Sequence, residues 1–210
     1  MASSTTPSAE RRTALVTGAG ELKANRTSST MLKSHPASAL ARGIGRGIAL
    51  KLAEDGFNVA INDIQSMADT ASSTLEEIRK VMKSKGARAS LHLADVTSES
   101  QVIEMIEGVV KEHGSLDVMV ANAGIVQYST LAETSMEVAD KVLSVNVRGV
   151  ILCYKYAAKQ MIAQGRGGRI IGASSCAGKQ GTKPLDAGYA LLAVYSASKF
   201  AVRGLTQATG

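Results

Sequence analysis

The chain is poor in the residues that build metal centres and disulfide scaffolds. Cysteine occurs only at Cys153 and Cys176, without metal-type spacing, so both are expected as free thiols in a reducing compartment. Histidine is limited to His35, His92 and His113, scattered along the chain, and no metal site is expected. No apolar run is long enough to span a bilayer, and residues 1–12 are polar with no apolar signal core, so a cytoplasmic protein is the expectation. The formal charge is +6, yet lysine and arginine are dispersed and no recognition module is present. Nucleic acid is therefore not an expected partner.

What is present is globular sequence sufficient for one domain: 210 residues, of which 45% are hydrophobic and 20% charged. Residues 1–12 carry Ser, Thr, Pro and charge without periodicity, and are expected to be a disordered tail ahead of a domain over 13–210. Residues 13–17 are a short apolar strand, and Gly18-Ala19-Gly20 follows at once. A strand running into glycines should open a helix whose first amides receive a phosphate. Here that helix is delayed by residues 21–41, a polar and basic stretch expected to be an inserted loop, after which Arg42-Gly43-Ile44-Gly45 resumes the glycine pattern.

Beyond this junction the hydrophobic period alternates. Helices are expected over 43–55, 65–85, 98–113 and 136–164, and strands over 58–62, 88–93, 117–121 and 169–173. Ser98 and Gln101 resemble a capping box at the start of one helix. Such alternation predicts an α/β fold: a doubly wound, Rossmann-like parallel sheet with helices on both faces. Ligands bind such sheets at the carboxyl ends of the strands, where the glycine turn, Asp63, Asp95-Val96, Asn122 and Ser175 all fall. Asp63 lies 18 residues beyond Gly45, close to where a dinucleotide-binding unit puts a carboxylate on the adenosine ribose.

The last stretch, Tyr195-Ser196-Ala197-Ser198-Lys199, reads as helical, which sets Tyr195 and Lys199 on one face. A free phenol has a pKa of about 10 and exchanges protons poorly at neutral pH. A lysine ammonium held close favours the phenolate, giving an acid or base usable near working pH.

Taken in order, Thr17-Gly18-Ala19-Gly20 with Arg42-Gly43-Ile44-Gly45, Asn122-Ala123-Gly124, Asn146, Ser175 and Tyr195-x-x-x-Lys199 resemble the short-chain dehydrogenase/reductase family. Within it, Gly-Ala-Ser-Ser at 172–175 and the run at 195–207 are most similar to acetoin/diacetyl reductases. The resemblance implies an oxidoreductase moving a hydride between NAD(P) and a secondary alcohol or ketone, with a small hydroxyketone or diketone as substrate. It implies that Tyr195 passes the proton to or from the substrate oxygen. Lys199 would lower the tyrosine pKa and hold the nicotinamide ribose. Ser175, rather than Ser174, would hydrogen-bond the reacting oxygen, and Asn146 would hold a water relaying protons to Lys199. Gly18, Gly43 and Gly45, with Ile44 between the last two, would let the chain approach the pyrophosphate, and Gly20 would help the turn. Asp63 favours NAD, whereas Arg42 can meet a 2′-phosphate, so NADP stays open; Asp95, Val96 and Asn122 complete the implied cofactor contacts. Assembly as a homodimer or homotetramer, through the helices carrying Asn146 and Tyr195, is also implied.

Three features depart from the family pattern. Residues 21–41 split the phosphate turn, and a tight turn is not expected to keep its shape around them. Ser175 and Tyr195 are 20 residues apart, more than the family spacing. The sequence stops at Gly210, inside the helix of Tyr195, so the domain is expected to be C-terminally truncated with one sheet edge open. These departures support a second expectation, a catalytically impaired or non-folding splice or gene-model variant in which residues 21–41 are translated intron. A third, a non-catalytic dinucleotide-binding module, would need an intact glycine site and a broken catalytic set, the reverse of what is written here.

Overall fold

The computed structural model describes residues 11–19, 39–180 and 192–209, the second stretch with side chains from residue 43 onward. Gly20, the Arg42 side chain and nearly all of the expected tail and insertion lie outside the described residues.

Five strands form one parallel sheet: β1 (Thr13–Thr17), β2 (Asn58–Asp63), β3 (Ala89–Leu93), β4 (Val118–Ala121) and β5 (Arg169–Gly172), in the order β3-β2-β1-β4-β5. Leu15 of central β1 pairs with Ala60 on one side and Met119 on the other. Every residue of β1 is buried, as a strand covered on both faces requires, which is why its sequence is a continuous apolar run and not an alternation. Successive side chains point to opposite faces, and the core divides accordingly. Val16, Val59, Ile61 and Val120 pack with α1 (Ala39–Glu54) and α2 (Ala68–Met82). Leu15, Ala60 and Met119 pack with α3 (Glu99–His113), α5 (Val150–Gln164) and Val202 of α6 (Ala193–Thr209). A shorter α4 (Met136–Leu143) precedes α5.

The expected strands agree with the observed ones to within one residue at either end. The helices differ in three instructive places. First, α1 starts at Ala39, so Ala39-Leu40-Ala41, expected in the loop, are helical; alanine and leucine are strong helix formers and nothing in Arg42 breaks them. Second, the expected helix over 136–164 is interrupted by a π segment at Ser144–Gly149, with helical backbone at both junctions. A π segment is a local widening of a helix, found often at functional sites, and its sequence carries no period of its own. Third, the expected capping box does not form: Ser98 caps α3 without a side-chain bond, and Gln101 Oε1 accepts instead from the Asp95 amide at 2.8 Å.

The amino end of the sheet is tied by Asp117, which accepts from the Thr13 amide at 2.8 Å and the Ser115 hydroxyl at 2.7 Å and pairs with Arg166. Among the described residues β5 pairs only with β4, and Ile171 on it is 50% exposed. Cys153 is buried, which pushes its thiol up to about 12 and leaves it inert, while Cys176 is exposed and neither is bridged. Among the described residues no helix is long and apolar enough to cross a membrane, and no group of three His, Cys, Asp or Glu could hold a metal ion.

Candidate active site

The carboxyl ends of β1 and β4 are stitched together before any ligand is considered. Thr17 Oγ1 accepts from the amides of Asn122 and Ala123, both at 3.0 Å, and Asn122 Nδ2 donates to the carbonyls of Thr17 at 3.0 Å and Gly18 at 3.2 Å. Asn122 is therefore a brace between strands as well as a turn residue. Gly18 has φ +67°, the left-handed region that favours glycine, and a Cβ there would lie 2.9 Å from Ala123 Cα. Between these strand ends and α4 opens a cavity of about 220 Å³, lined by Gly18, Asp63, Asp95, Val96, Asn122 and Gly124 among others. Asp63 closes β2 almost fully buried, its Oδ1 accepting from the Ile64 amide at 2.8 Å. The Asp95 carboxylate is held by the amide and hydroxyl of Thr97, both at 2.8 Å. Buried Val96 faces Gly149, where a Cβ would come within 2.8 Å of its Cγ2.

The glycine motif is arranged differently from the expectation. Because α1 begins at Ala39, Gly43-Ile44-Gly45 lie more than one turn inside the helix, past the four free amides of its start. Gly43 is exposed and a Cβ on it would meet nothing within 4 Å beyond its own helix, and Ile44 is 58% exposed. Gly45 alone is buried, against Gly18 and Asn122. Its absent side chain permits close packing of helix on strand, the task of the last glycine in a dinucleotide fingerprint. Gly45 and Gly18 thus meet across the insertion, while the expected phosphate turn between them falls outside the described residues.

The proton-bearing residues lie behind Gly124 and Ile125, which line that cavity. Asn146, in the π segment, is fully buried, and its amide grips residue 125 twice: Nδ2 donates to the Ile125 carbonyl and Oδ1 accepts from the Ile125 amide, each at 2.8 Å. A second Nδ2 proton goes to Ser198 Oγ at 3.0 Å. Lys199 is 5% exposed; its Nζ donates to the Ala173 carbonyl at 2.8 Å, and burial lowers its pKa to about 8. Gly124 marks where these groups converge, since a Cβ on it would lie 3.2 Å from Asn146 Oδ1 and 3.3 Å from Lys199 Nζ.

Tyr195 stands beside Lys199, whose Nζ is 5.6 Å from the ring centroid. Its pKa is raised, first by burial and further by Cys176 and Tyr128, with a hydrogen bond to Ser175 acting in the opposite direction. The expected lowering of the phenol by the ammonium is not found in this arrangement: the phenol is raised, and Lys199 is itself desolvated and directed at Ala173. Ser175 and Tyr195 do meet, despite the long spacing between them. Ser174 faces away, donating to the Lys199 carbonyl at 2.9 Å. The constellation can donate a phenolic proton to a bound oxygen, with a serine hydroxyl and a weakly basic amine at hand.

Two participants escaped the sequence reading. Ile125 is gripped through its backbone, which carries no sequence signal, and Ser198 lay unremarked inside the Tyr-Ser-Ala-Ser-Lys run. A larger cavity of about 820 Å³ lies elsewhere, among α5, β5 and α6 beside Tyr154, Ile170 and Leu205. Gly18, Asp63, Asp95, Asn122 and Gly124 do not line it, so volume alone does not mark the site.

Residues 38–210 match the family described as short chain dehydrogenase. A short-chain dehydrogenase/reductase of Armillaria gallica is 46% identical over 196 residues, covering 93% of this chain and 63% of the relative. An (S)-acetoin-forming diacetyl reductase of Staphylococcus epidermidis is 37% identical, covering 84% of this chain and 64% of the relative. Among solved structures, an NAD+-bound xylitol dehydrogenase superposes with a TM-score of 0.71 at 28% identity, over 96% of this chain and 65% of that one. The chain thus spans a little under two thirds of the length of these relatives. Fold, strand-end cleft and matched sequence agree: the chain belongs to the short-chain dehydrogenase family.

Proposed function

We propose that the chain acts as an NAD(P)-dependent oxidoreductase interconverting a secondary alcohol and a ketone, with a small hydroxyketone or diketone such as acetoin or diacetyl as substrate. The observation that carries this reading is that Asn146 and Lys199 meet beside Gly124, which lines the same cavity as Asp63 and Asp95, while Tyr195 stands next to Lys199 and is bonded to Ser175.

The residues present fit a dinucleotide. Gly18 offers bare backbone in a left-handed turn, as close approach of a pyrophosphate demands. Asp63 can accept the adenosine ribose hydroxyls and would repel a 2′-phosphate, which favours NAD over NADP. Asp95, Val96 and Asn122 line the rest. When bound, the cofactor supplies or accepts the hydride. Tyr195 would donate its proton to the carbonyl oxygen as the adjacent carbon takes the hydride, and Ser175 would hold that oxygen within reach. A raised phenol pKa suits the donor in the reducing direction, because the group stays protonated at neutral pH. Lys199, with a pKa near 8, can return the proton to Tyr195 or hold the ribose. Asn146 has both amide protons committed to Ile125 and Ser198, so its side chain acts as a clamp on the cleft wall and not as a donor to water.

Reduction of diacetyl by NADH and by NADPH, followed for this chain and for Tyr195→Phe, tests the reading. NADH-dependent turnover is expected, falling about 100-fold or more in the variant with NADH affinity kept. Binding without turnover would favour a dinucleotide-binding module, and turnover that survives the substitution would remove Tyr195 from the chemistry.

A further inference from the structure

Among the described residues, Ser198 is the side chain through which Asn146 is bonded to α6. Its hydroxyl is fully buried; it accepts from Asn146 Nδ2 at 3.0 Å and donates to the Tyr195 carbonyl, three residues back on the same helix, at 2.6 Å. A hydroxyl carries one proton, and here that proton is directed at Tyr195, which leaves a lone pair to receive the Asn146 amide. Asn146 cannot turn over to change the pattern, because its two bonds to Ile125 require oxygen and nitrogen where they stand. The series Ile125, Asn146, Ser198, Tyr195 carbonyl is therefore fixed in direction as well as in position.

The next residue along α6 is Lys199, whose ammonium reaches the same point beside Gly124 as Asn146 Oδ1. We propose that Ser198 is a positioning residue: its hydroxyl locks α6 against the π segment and so sets where Lys199 Nζ and the Tyr195 phenol stand at the cleft. The proposal rests on the dehydrogenase reading above for its bearing on catalysis, but not for its geometry.

Ser198→Ala scarcely changes volume and keeps a good helix former, yet leaves one buried Asn146 N–H without an acceptor. Satisfying it requires α6 to shift or water to enter beside Lys199, and either event returns solvation to the ammonium and raises its pKa.

The test is the pH dependence of Lys199 acetylation by limiting acetic anhydride, read by mass spectrometry on the full chain, for the wild type, Ser198→Ala and Ser198→Thr. In the wild type, half-labelling is expected near pH 8. Ser198→Ala should move it upward by about one pH unit, and Ser198→Thr, which retains the hydroxyl, should move it far less. Carbonyl reduction should fall about tenfold in Ser198→Ala with NADH affinity within about twofold. A Ser198→Ala protein that melts earlier but labels as the wild type does would overturn the proposal, making the hydroxyl merely structural. Wild-type protein that neither binds NADH nor reduces any carbonyl would instead refute the dehydrogenase reading, and the labelling series would still decide the role of Ser198.

Discussion

Gly45 of α1 rests directly on Gly18 at the end of β1: a Cβ built on Gly45 would land on the Gly18 carbonyl oxygen and lie 2.7 Å from Asn122 Nδ2. Helix and strand thus touch at these two glycines, with residues 19–44 between them in the sequence. Gly45→Ala should cost about 1–3 kcal/mol, the range for overpacking a closed contact. Gly43→Ala meets nothing and fills an exposed helical position, so it should stabilise by about 0.5–1 kcal/mol. Urea denaturation midpoints of the two variants should move in opposite directions. Equal shifts would mean that Gly45 does not touch Gly18.

Lys199 gives a signed pH dependence. Its pKa of about 8 in the folded chain lies below the ordinary 10.5, because burial penalises the charge. Below pH 8 both states carry the proton and the penalty is in full force. From about 8 to 10.5 the unfolded chain holds more protons than the folded one, so stability rises with pH. Lys199→Met should remove that rise and stabilise the protein at pH 7 by up to about 3 kcal/mol, while removing activity. Denaturant titrations at pH 7 and 9.5 on both proteins measure this directly.

A second titrating cluster lies outside the cleft. Ser90 Oγ is 2.9 Å from His92 Nε2 and 2.7 Å from His113 Nε2, and His113 Nδ1 is buried without a hydrogen-bond partner among the described residues. Burial lowers the pKa of both rings; Glu112 opposes this at each, while Arg88 and His92 add to it at His113. Both rings are therefore neutral in the fold, and the stability this represents is present above the unfolded value of about 6.5 and lost as pH falls below it. The denaturation midpoint should drop between pH 7 and 5, and a His92→Gln, His113→Gln double variant should flatten that drop.

How much of this was legible in the sequence depends on where each signal resides. The strands showed because Leu15-Val16 and Val59-Ala60-Ile61 are unbroken apolar runs of a doubly covered sheet. Asp63, Asp95 and Asn122 followed, since a strand's end fixes what stands there. The start of α1 was misplaced because the glycine motif drew the boundary to residue 43, while Ala39-Leu40-Ala41 already favoured helix. Nothing in Ser144–Gly149 announces a π segment, and the desolvation of Lys199 depends on packing from α6, Ala173 and Gly124, which no local spacing encodes. Spacing placed Tyr195 and Lys199 together correctly, but the electrostatic consequence was set by burial.

The measurement that bears most directly on the central claim is calorimetric titration of NADH into this chain and into Asp63→Ala and Tyr195→Phe variants. If the strand-end cleft holds the cofactor, the chain binds NADH with a saturable isotherm, Asp63→Ala weakens it by about 1–3 kcal/mol through the lost ribose bonds, and Tyr195→Phe leaves it nearly unchanged. An absence of binding, or an affinity indifferent to Asp63, would contradict the assignment of this cleft.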